Sequence, residues 1–290
     1  MELMDAADTL TTLGHPGRLS VFRLLARRAP GGVRPGEMTE ALGIKPSTLS
    51  VYLSALEQAG LVTSERQGRS ILYRVVIPAM GDLVDFLVAD CCRGRPDLCA
   101  PRTAAALTDP CTGPDPMADR RYNVLFICTG NSARSIFAEA LLRSEGGDRF
   151  TAHSAGTRPY SELNPFALEV LERAGHDTSV LRAKNVSEFQ GEDAPRMDFV
   201  FTVCDRAANE ECPPWPGQPI TAHWGLPDPV KVDGTDAEKA LAFSHAYAQM
   251  RRRIMAFAAL PFDQLDRLSL QAKLDEIGGT EAIEAEKATS

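Results

Sequence analysis

The polar and apolar positions divide the chain into two unlike halves. Over the first 92 residues the periodicity is mostly helical. Residues 3–13 form an amphipathic stretch that ends at Gly14, and Pro16 opens a second, with Leu19, Val21, Phe22, Leu24 and Leu25 apolar. Arg27, Arg28, Pro30, Gly31 and Gly32 break it. A short helix over 37–42 follows, then a tight turn at Gly43-Ile44, then a helix over 46–58 with Pro46 at its first position. On that helix Leu49, Leu53 and Leu56 share a face, and Ser47, Thr48, Ser50, Tyr52 and Ser54 lie largely on the others. Two short strands, 61–66 and 71–76, flank Gln67-Gly68-Arg69 and predict a basic hairpin. A last helix over 78–92 carries Leu83, Val84, Leu87 and Val88, a stripe too apolar for a free surface. It closes the core or pairs with another copy.

After residue 121 the pattern changes. Apolar, strand-like runs at 124–127, 149–154, 198–203 and 219–222 alternate with helical stretches from Ser132, at 164–174 and at 237–259. Strands alternating with helices predict a parallel sheet with helices on both faces. Between the halves, residues 93–121 hold Pro96, Pro101, Pro110, Pro114 and Pro116 with little periodicity, as a linker does. Residues 263–277 predict one more helix, and 278–290 a polar, frayed tail. The fold class is therefore α/β with an N-terminal helix-turn-helix unit. The expected domains are 1–95, a linker 96–120, 121–277, and the tail 278–290.

At 290 residues two domains are expected, and no stretch approaches the roughly 18 unbroken apolar residues of a membrane span. Residues 1–13 are acidic and mixed, unlike a signal peptide, so a cytoplasmic location is expected. In that reducing setting the seven cysteines point to reactive or ligand-binding thiols rather than structural disulfides. Charge is uneven. The first 100 residues hold 11 basic and 11 acidic side chains, and the remainder carries the whole net −8. A neutral N-terminal part on an acidic protein is compatible with a small DNA-binding module without requiring one.

The richest stretch is Cys128-Thr-Gly-Asn-Ser-Ala-Arg-Ser135. Cys128 stands where the 124–127 strand ends, and Arg134 stands at the start of a helix with Ile136, Phe137, Ala140 and Leu141 on one face. Gly130 and Asn131 tolerate a left-handed backbone and let the chain turn tightly. Inward-pointing amides of Thr129, Gly130, Asn131, Ser132, Ala133 and Arg134, with the helix dipole behind them, would cradle a tetrahedral oxyanion. The thiol of Cys128 would form the floor and the guanidinium of Arg134 the rim. The helix terminus and Arg134 are expected to lower the Cys128 pKa, and Ser135 can donate to the thiolate. A buried structural cysteine at a strand end is the plain alternative, but Cys-x5-Arg-Ser with Gly-Asn inside is far more specific.

This loop resembles the signature of the low-molecular-weight tyrosine phosphatase superfamily, over about residues 121–262. Thr129 and Ser132 are closer to its arsenate reductase branch. Ala133 departs from the pattern, since relatives often carry a second cysteine there. Cys204 and Cys212 flank Asp-Arg-Ala-Ala-Asn-Glu-Glu and resemble the redox segment of the thioredoxin-coupled reductases, with a slightly different spacing. His223-Trp-Gly-Leu-Pro-Asp-Pro229 resembles the general-acid loop, with Asp228 as the acid. His223 itself reads as a packed structural residue. The resemblance implies no bound cofactor, an arsenate substrate, and an external reductant, thioredoxin or a small thiol. A tyrosine phosphatase would use the same loop, though Val230 and Lys231 stand where protein-directed phosphatases tend to have aromatics. A non-enzymatic oxyanion-binding regulator is the third reading.

In the first half, LGHPGRLSVFRLL, ALGIKPSTLSVYLSALEQAGLV and RQGRSILYRV resemble the successive signatures of ArsR/SmtB-type winged-helix repressors, over about residues 5–92. A plain helical bundle with a hairpin is the alternative from pattern alone. The resemblance implies that Lys45, Ser47, Thr48, Ser50 and Tyr52 face operator DNA, that Arg66 and Arg69 meet phosphates, and that the terminal helix joins a homodimer. It further implies arsenite as effector, bound by Cys91, Cys92 and Cys99. Three thiols within nine residues suit a soft three-coordinate ion. The commoner cysteine pair on the first helix of the helix-turn-helix is absent from 37–42. Cys111, in the linker, reads as incidental.

Overall fold

The computed structural model describes residues 1–68, 70–91, 121–191, 193–210, 215, 219–262, 264–265 and 267–287. The chain divides into two compact units, Met1–Pro114 and Asp115–Ser290. The expected linker 96–120 lies outside the described residues.

The first unit follows the sequence pattern closely. Helix α1 (Leu3–Leu13) ends at Gly14. Helix α2 (Pro16–Arg27) starts where His15 Nδ1 accepts from the Gly17 and Arg18 amides, ahead of a proline at the first position. Helix α3 (Pro35–Leu42) stops at Gly43, whose φ of 64° would strain any side chain. That turn leads into α4 (Pro46–Gln58). The hairpin of β1 (Val62–Gln67) and β2 (Ser70–Val75) pairs in antiparallel register from Val62↔Val75 to Gln67↔Ser70. Val33 adds a bridge to Tyr73, which a one-residue pairing cannot signal in sequence. Leu24, Leu25, Met38, Leu49, Leu56 and Leu61 fill the core under this wing. The expected helix over 78–92 is instead α5 (Ile77–Asp85) continued by a π-turn, Phe86–Cys91. Apolar spacing alone does not distinguish the two winds.

The second unit is built on four parallel strands: β3 (Tyr122–Cys128), β4 (Phe150–Gly156), β5 (Phe199–Thr202) and β6 (Ile220–His223), in the order β4-β3-β5-β6. Helices α6 (Arg134–Glu145), α7 (Pro165–Arg173), α8 (Asp205–Asn209) and α9 (Asp236–Ala258) connect and cover them. Successive strands fall on opposite sides of β3, so the order reverses at its C-terminal end, where open parallel sheets bind ligands. The core is aromatic: Phe201 stacks on both Phe126 and Trp224, with Phe199, Phe257 and Phe262 packed edge-on. Helix α10 (Arg267–Lys287) runs through Gly278, where the sequence reading ends a helix and begins a frayed tail. No helix among the described residues is long and apolar enough to cross a membrane.

Candidate functional site

The loop after β3 is held from outside by its neighbours' amides. The carbonyls of Cys128, Thr129, Gly130 and Ser132 accept from Thr157, Arg158, Tyr160 and Asn164 in turn. With its carbonyls turned outward, the loop's own N–H groups face the other way, into a cradle. The Asn131 amide donates to Cys128 Sγ at 3.1 Å, and Asn131 holds the positive φ of 45° that closes the turn. Gly156 is necessary there, because a Cβ would stand 2.7 Å from the Thr129 carbonyl. Helix α6 begins at Arg134 with no side-chain cap, so its first amides are left for a ligand.

Ser135 Oγ lies 2.9 Å from Cys128 Sγ. Asn131 Nδ2 donates to Ser135 Oγ and to Ser154 Oγ, each at 2.9 Å, while its Oδ1 accepts from the Lys184 amide. Ser154 in turn donates to Glu139, which is paired with Lys184 Nζ at 2.8 Å. All six residues are buried. Sequence reasoning missed Glu139, Ser154 and Lys184. They lie 15 to 45 residues apart along the chain, and nothing local marks them.

Arg134 and Asp228 meet directly: Nη2 stands 2.8 Å from Oδ2, and Nη1 donates to the Leu226 carbonyl at 3.1 Å. Asp228 also accepts from the Val230 amide, which fixes the Pro-Asp-Pro turn. Cys204 is buried two residues past β5, the strand that pairs with β3, and Thr129 Oγ1 lies 3.5 Å from its sulfur. Cys212 lies outside the described residues. His223 takes Thr202 Oγ1 on one ring nitrogen and Asp205 on the other, tying β6 to β5 and to the start of α8.

One expectation is overturned. Burial pushes the Cys128 thiol up from its ordinary value, and the neighbouring Cys204 acts in the same direction. Ser135, Arg134 and the Asn131 amide pull it down without prevailing. The physical reason lies in the geometry. The thiol is 3 % exposed, and the guanidinium meant to stabilise its anion is already matched to a carboxylate.

On the helix-turn-helix unit, Lys45, Ser47 and Ser50 are exposed along α4 and Thr48 is half-buried. The Ser50 hydroxyl donates back to the Pro46 carbonyl. Tyr52 does not share that face. It is half-buried, with its ring 5.0 Å from that of His15 and pressed against Gly17. Val51, which the sequence reading passed over, is 67 % exposed in its place. Arg66 is exposed on the hairpin, and Arg69 lies outside the described residues. Of the three thiols expected to bind arsenite, the backbone of Cys91 ends the π-turn, and Cys92 and Cys99 lie outside the described residues.

Residues 123–269 match the family described as low molecular weight phosphotyrosine protein phosphatase, and residues 13–65 match a helix-turn-helix domain. The arsenate reductase of Halalkalibacterium halodurans is 35% identical over 135 residues, covering 47% of this chain and 94% of that protein. The arsenate reductase of Bacillus licheniformis is 36% identical over 139 residues, 48% of this chain and 96% of that one. Among solved structures, the thioredoxin-dependent arsenate reductase of Corynebacterium glutamicum aligns at 29% identity over 47% of this chain and 62% of that chain, with a TM-score of 0.34.

Proposed function

The chain belongs to the low molecular weight phosphotyrosine protein phosphatase family, with a helix-turn-helix domain ahead of that unit, and from this premise we propose that it is a cytoplasmic arsenate reductase fused to an arsenite-responsive repressor. The observation that carries the enzymatic reading is the second thiol. A phosphatase needs one cysteine, and here Cys204 is buried on the adjoining strand end, 3.5 Å from the hydroxyl of Thr129 in the oxyanion loop.

In this mechanism arsenate displaces Asp228 from Arg134 and lies against the loop amides. The Cys128 proton passes to an arsenate oxygen, and the thiolate forms a sulfur–arsenic bond. Asp228, once protonated, gives a second proton to that oxygen, which leaves as water. Cys204 then attacks Cys128 Sγ. The electron pair of the broken sulfur–arsenic bond stays on arsenic, which is reduced from As(V) to As(III) and leaves as arsenite. The two thiols become a disulfide. Cys212 attacks Cys204, frees Cys128, and presents a Cys204–Cys212 disulfide to a thioredoxin-type dithiol or a small thiol. No bound cofactor takes part.

A phosphatase reading keeps one observation of its own. Tyr160 is 61 % exposed and lies over Gly130, at the rim of the loop, where an aryl group would rest. Arsenite release from arsenate in the presence of thioredoxin, run beside p-nitrophenyl phosphate hydrolysis, separates the two. Phosphatase turnover without arsenite release overturns the reductase.

For the first unit, Lys45, Ser47, Thr48 and Ser50 on α4 are the DNA-facing set, with Arg66 and Arg69 on the wing at phosphates. Exposed Leu3, Met4 and Leu10 on α1, with Val84, Leu87 and Val88 on the last helix, support a homodimer, as two-fold operators require. Cys91, Cys92 and Cys99 are the proposed arsenite site. An operator-binding titration with and without arsenite tests this half.

A further inference from the structure

Helix α10 starts at Arg267, where the family match is ending at residue 269, and its first half is built into the segment that carries the proposed acid. Leu270, Leu274 and Ile277 are buried in the sheet unit's core. The Leu274 carbonyl accepts from Trp224 Nε1 at 3.0 Å, and Gln271 Nε2 donates to the Thr221 carbonyl on the edge strand β6 at 2.8 Å. Trp224 is fully buried, with its ring stacked 4.0 Å from Phe201.

From the other side comes Arg253 of α9, itself buried. Its Nη1 donates to the carbonyls of Trp224 and Gly225, and its Nη2 donates to the carbonyl of Gly278. Gly278 is fixed by contact. A Cβ there would stand 2.5 Å from the His223 carbonyl and 2.9 Å from the Trp224 ring. So α10 touches the chain at 221, 223 and 224. Two residues later the Leu226 carbonyl takes Arg134, and Asp228 follows.

We propose that α10 is a positioning clamp for the acid loop, with Gly278, Trp224 and Arg253 setting the path of 223–226 so that Asp228 reaches the Cys128 loop. Among the described residues the segment is also tied by the Trp224 amide to the Thr202 carbonyl, the Leu226 amide to the Val203 carbonyl, and the His223 ring to Thr202 and Asp205. Moving α10 outward by the radius of a methyl group would carry Asp228 with it. A misplacement near 1 Å costs about 100-fold in a well-oriented reaction. A helix that only covered the edge of β6 would give stability without touching proton transfer. The inference rests on Asp228 acting as the acid.

The test is Gly278→Ala in the full chain, with Asp228→Asn as reference, assayed on two aryl phosphates. Phenyl phosphate has a poor leaving group and needs the acid; p-nitrophenyl phosphate has a good one and needs it little. Gly278→Ala should lower kcat by about 10-fold or more on phenyl phosphate and by about 3-fold or less on p-nitrophenyl phosphate, and Asp228→Asn should show the same pattern, larger. Should Gly278→Ala not fold, Gln271→Leu, which removes the tie to β6 together with a contact to Asp275 inside the helix, should show the same selectivity more weakly. Equal losses on both esters, or none, while Asp228→Asn discriminates, overturn the clamp. Failure of Asp228→Asn to discriminate removes the acid reading and the clamp with it; if the parent chain turns over no ester, the same variants are compared by arsenite release, where an unchanged kcat in Gly278→Ala beside a lowered one in Asp228→Asn overturns the clamp.

Discussion

Asp228 Oδ2 stands 2.8 Å from Arg134 Nη2, so the two side chains assigned to the oxyanion hold each other until one arrives. An entering anion has to take the carboxylate's place on the guanidinium. Removing the negative charge at 228 lowers that barrier and, at the same time, removes the proposed proton donor. Asp228→Asn is therefore expected to bind inorganic phosphate, as a competitive inhibitor, severalfold more tightly, while kcat falls by about 100- to 10,000-fold. Inhibition constants and kcat measured together check this; weaker phosphate binding in the variant contradicts it.

The state of Cys128 has a pH signature. Burial pushes its pKa up, so the thiol is expected to be protonated at neutral pH and the thiolate to gain only as pH climbs past the ordinary thiol range. Alkylation of Cys128 by iodoacetamide, followed by mass spectrometry from pH 6 to 10, should be slow at neutral pH and still rising at the alkaline end. Ser135→Ala removes a contact that pulls the value down and should move the curve further to alkaline pH. A plateau reached below pH 7 contradicts the burial argument.

Reductase and phosphatase differ in how many thiols they need. Cys128→Ser should abolish arsenite release and ester hydrolysis alike, since a hydroxyl is a far weaker acid and nucleophile than a thiol and can form neither the sulfur–arsenic bond nor the disulfide. Cys204→Ser should stop multiple-turnover arsenate reduction and spare p-nitrophenyl phosphate hydrolysis. Cys212→Ser should mainly block recycling by thioredoxin. Sustained arsenate turnover by Cys204→Ser would sink the relay.

Local signals made much of this legible, and long-range packing accounts for the rest. Pro16, Pro46 and Pro165 sit at the first turn of their helices, and Gly43 sits at a left-handed end, so the sequence marks these boundaries with residues whose backbone preference is strong. The oxyanion loop is legible because Cys128, Gly130, Asn131 and Arg134 are contiguous. The half-buried place of Tyr52 has a signal in the sequence. It falls three residues after Leu49 and four before Leu56, on the apolar stripe, although its phenol is polar. Gly278-Gly279 looks like a helix stop. The first glycine is instead required by a carbonyl 55 residues earlier in the chain, which no window of sequence contains.

The buried Glu139–Lys184 pair makes a stability prediction. With side chains 2 % and 9 % exposed, neither charge has water to fall back on. Glu139→Ala leaves Lys184 unpaired and frees Ser154, and is expected to cost about 3–5 kcal/mol in urea unfolding of the second unit. The double variant Glu139→Leu, Lys184→Met removes both charges and should recover much of that loss. If Glu139→Ala costs less than about 1 kcal/mol, the pair is not holding the network.

On the proposed reading, arsenite is the product of one unit and the effector of the other. Free arsenite diffuses away far faster than turnover at about 1–1,000 per second can replace it. The sensor should therefore respond to bulk arsenite and not to product passed along the chain. If arsenite lowers affinity for operator DNA, linkage requires operator DNA to lower affinity for arsenite by the same factor, typically about 5- to 150-fold. Titrating the full chain on its operator should give release by added arsenite, and a Cys128→Ser chain should respond to added arsenite identically, since it cannot make its own. Cys91→Ser or Cys92→Ser should stay bound. Arsenite release that persists in the Cys91, Cys92, Cys99 triple serine variant would place the sensor elsewhere.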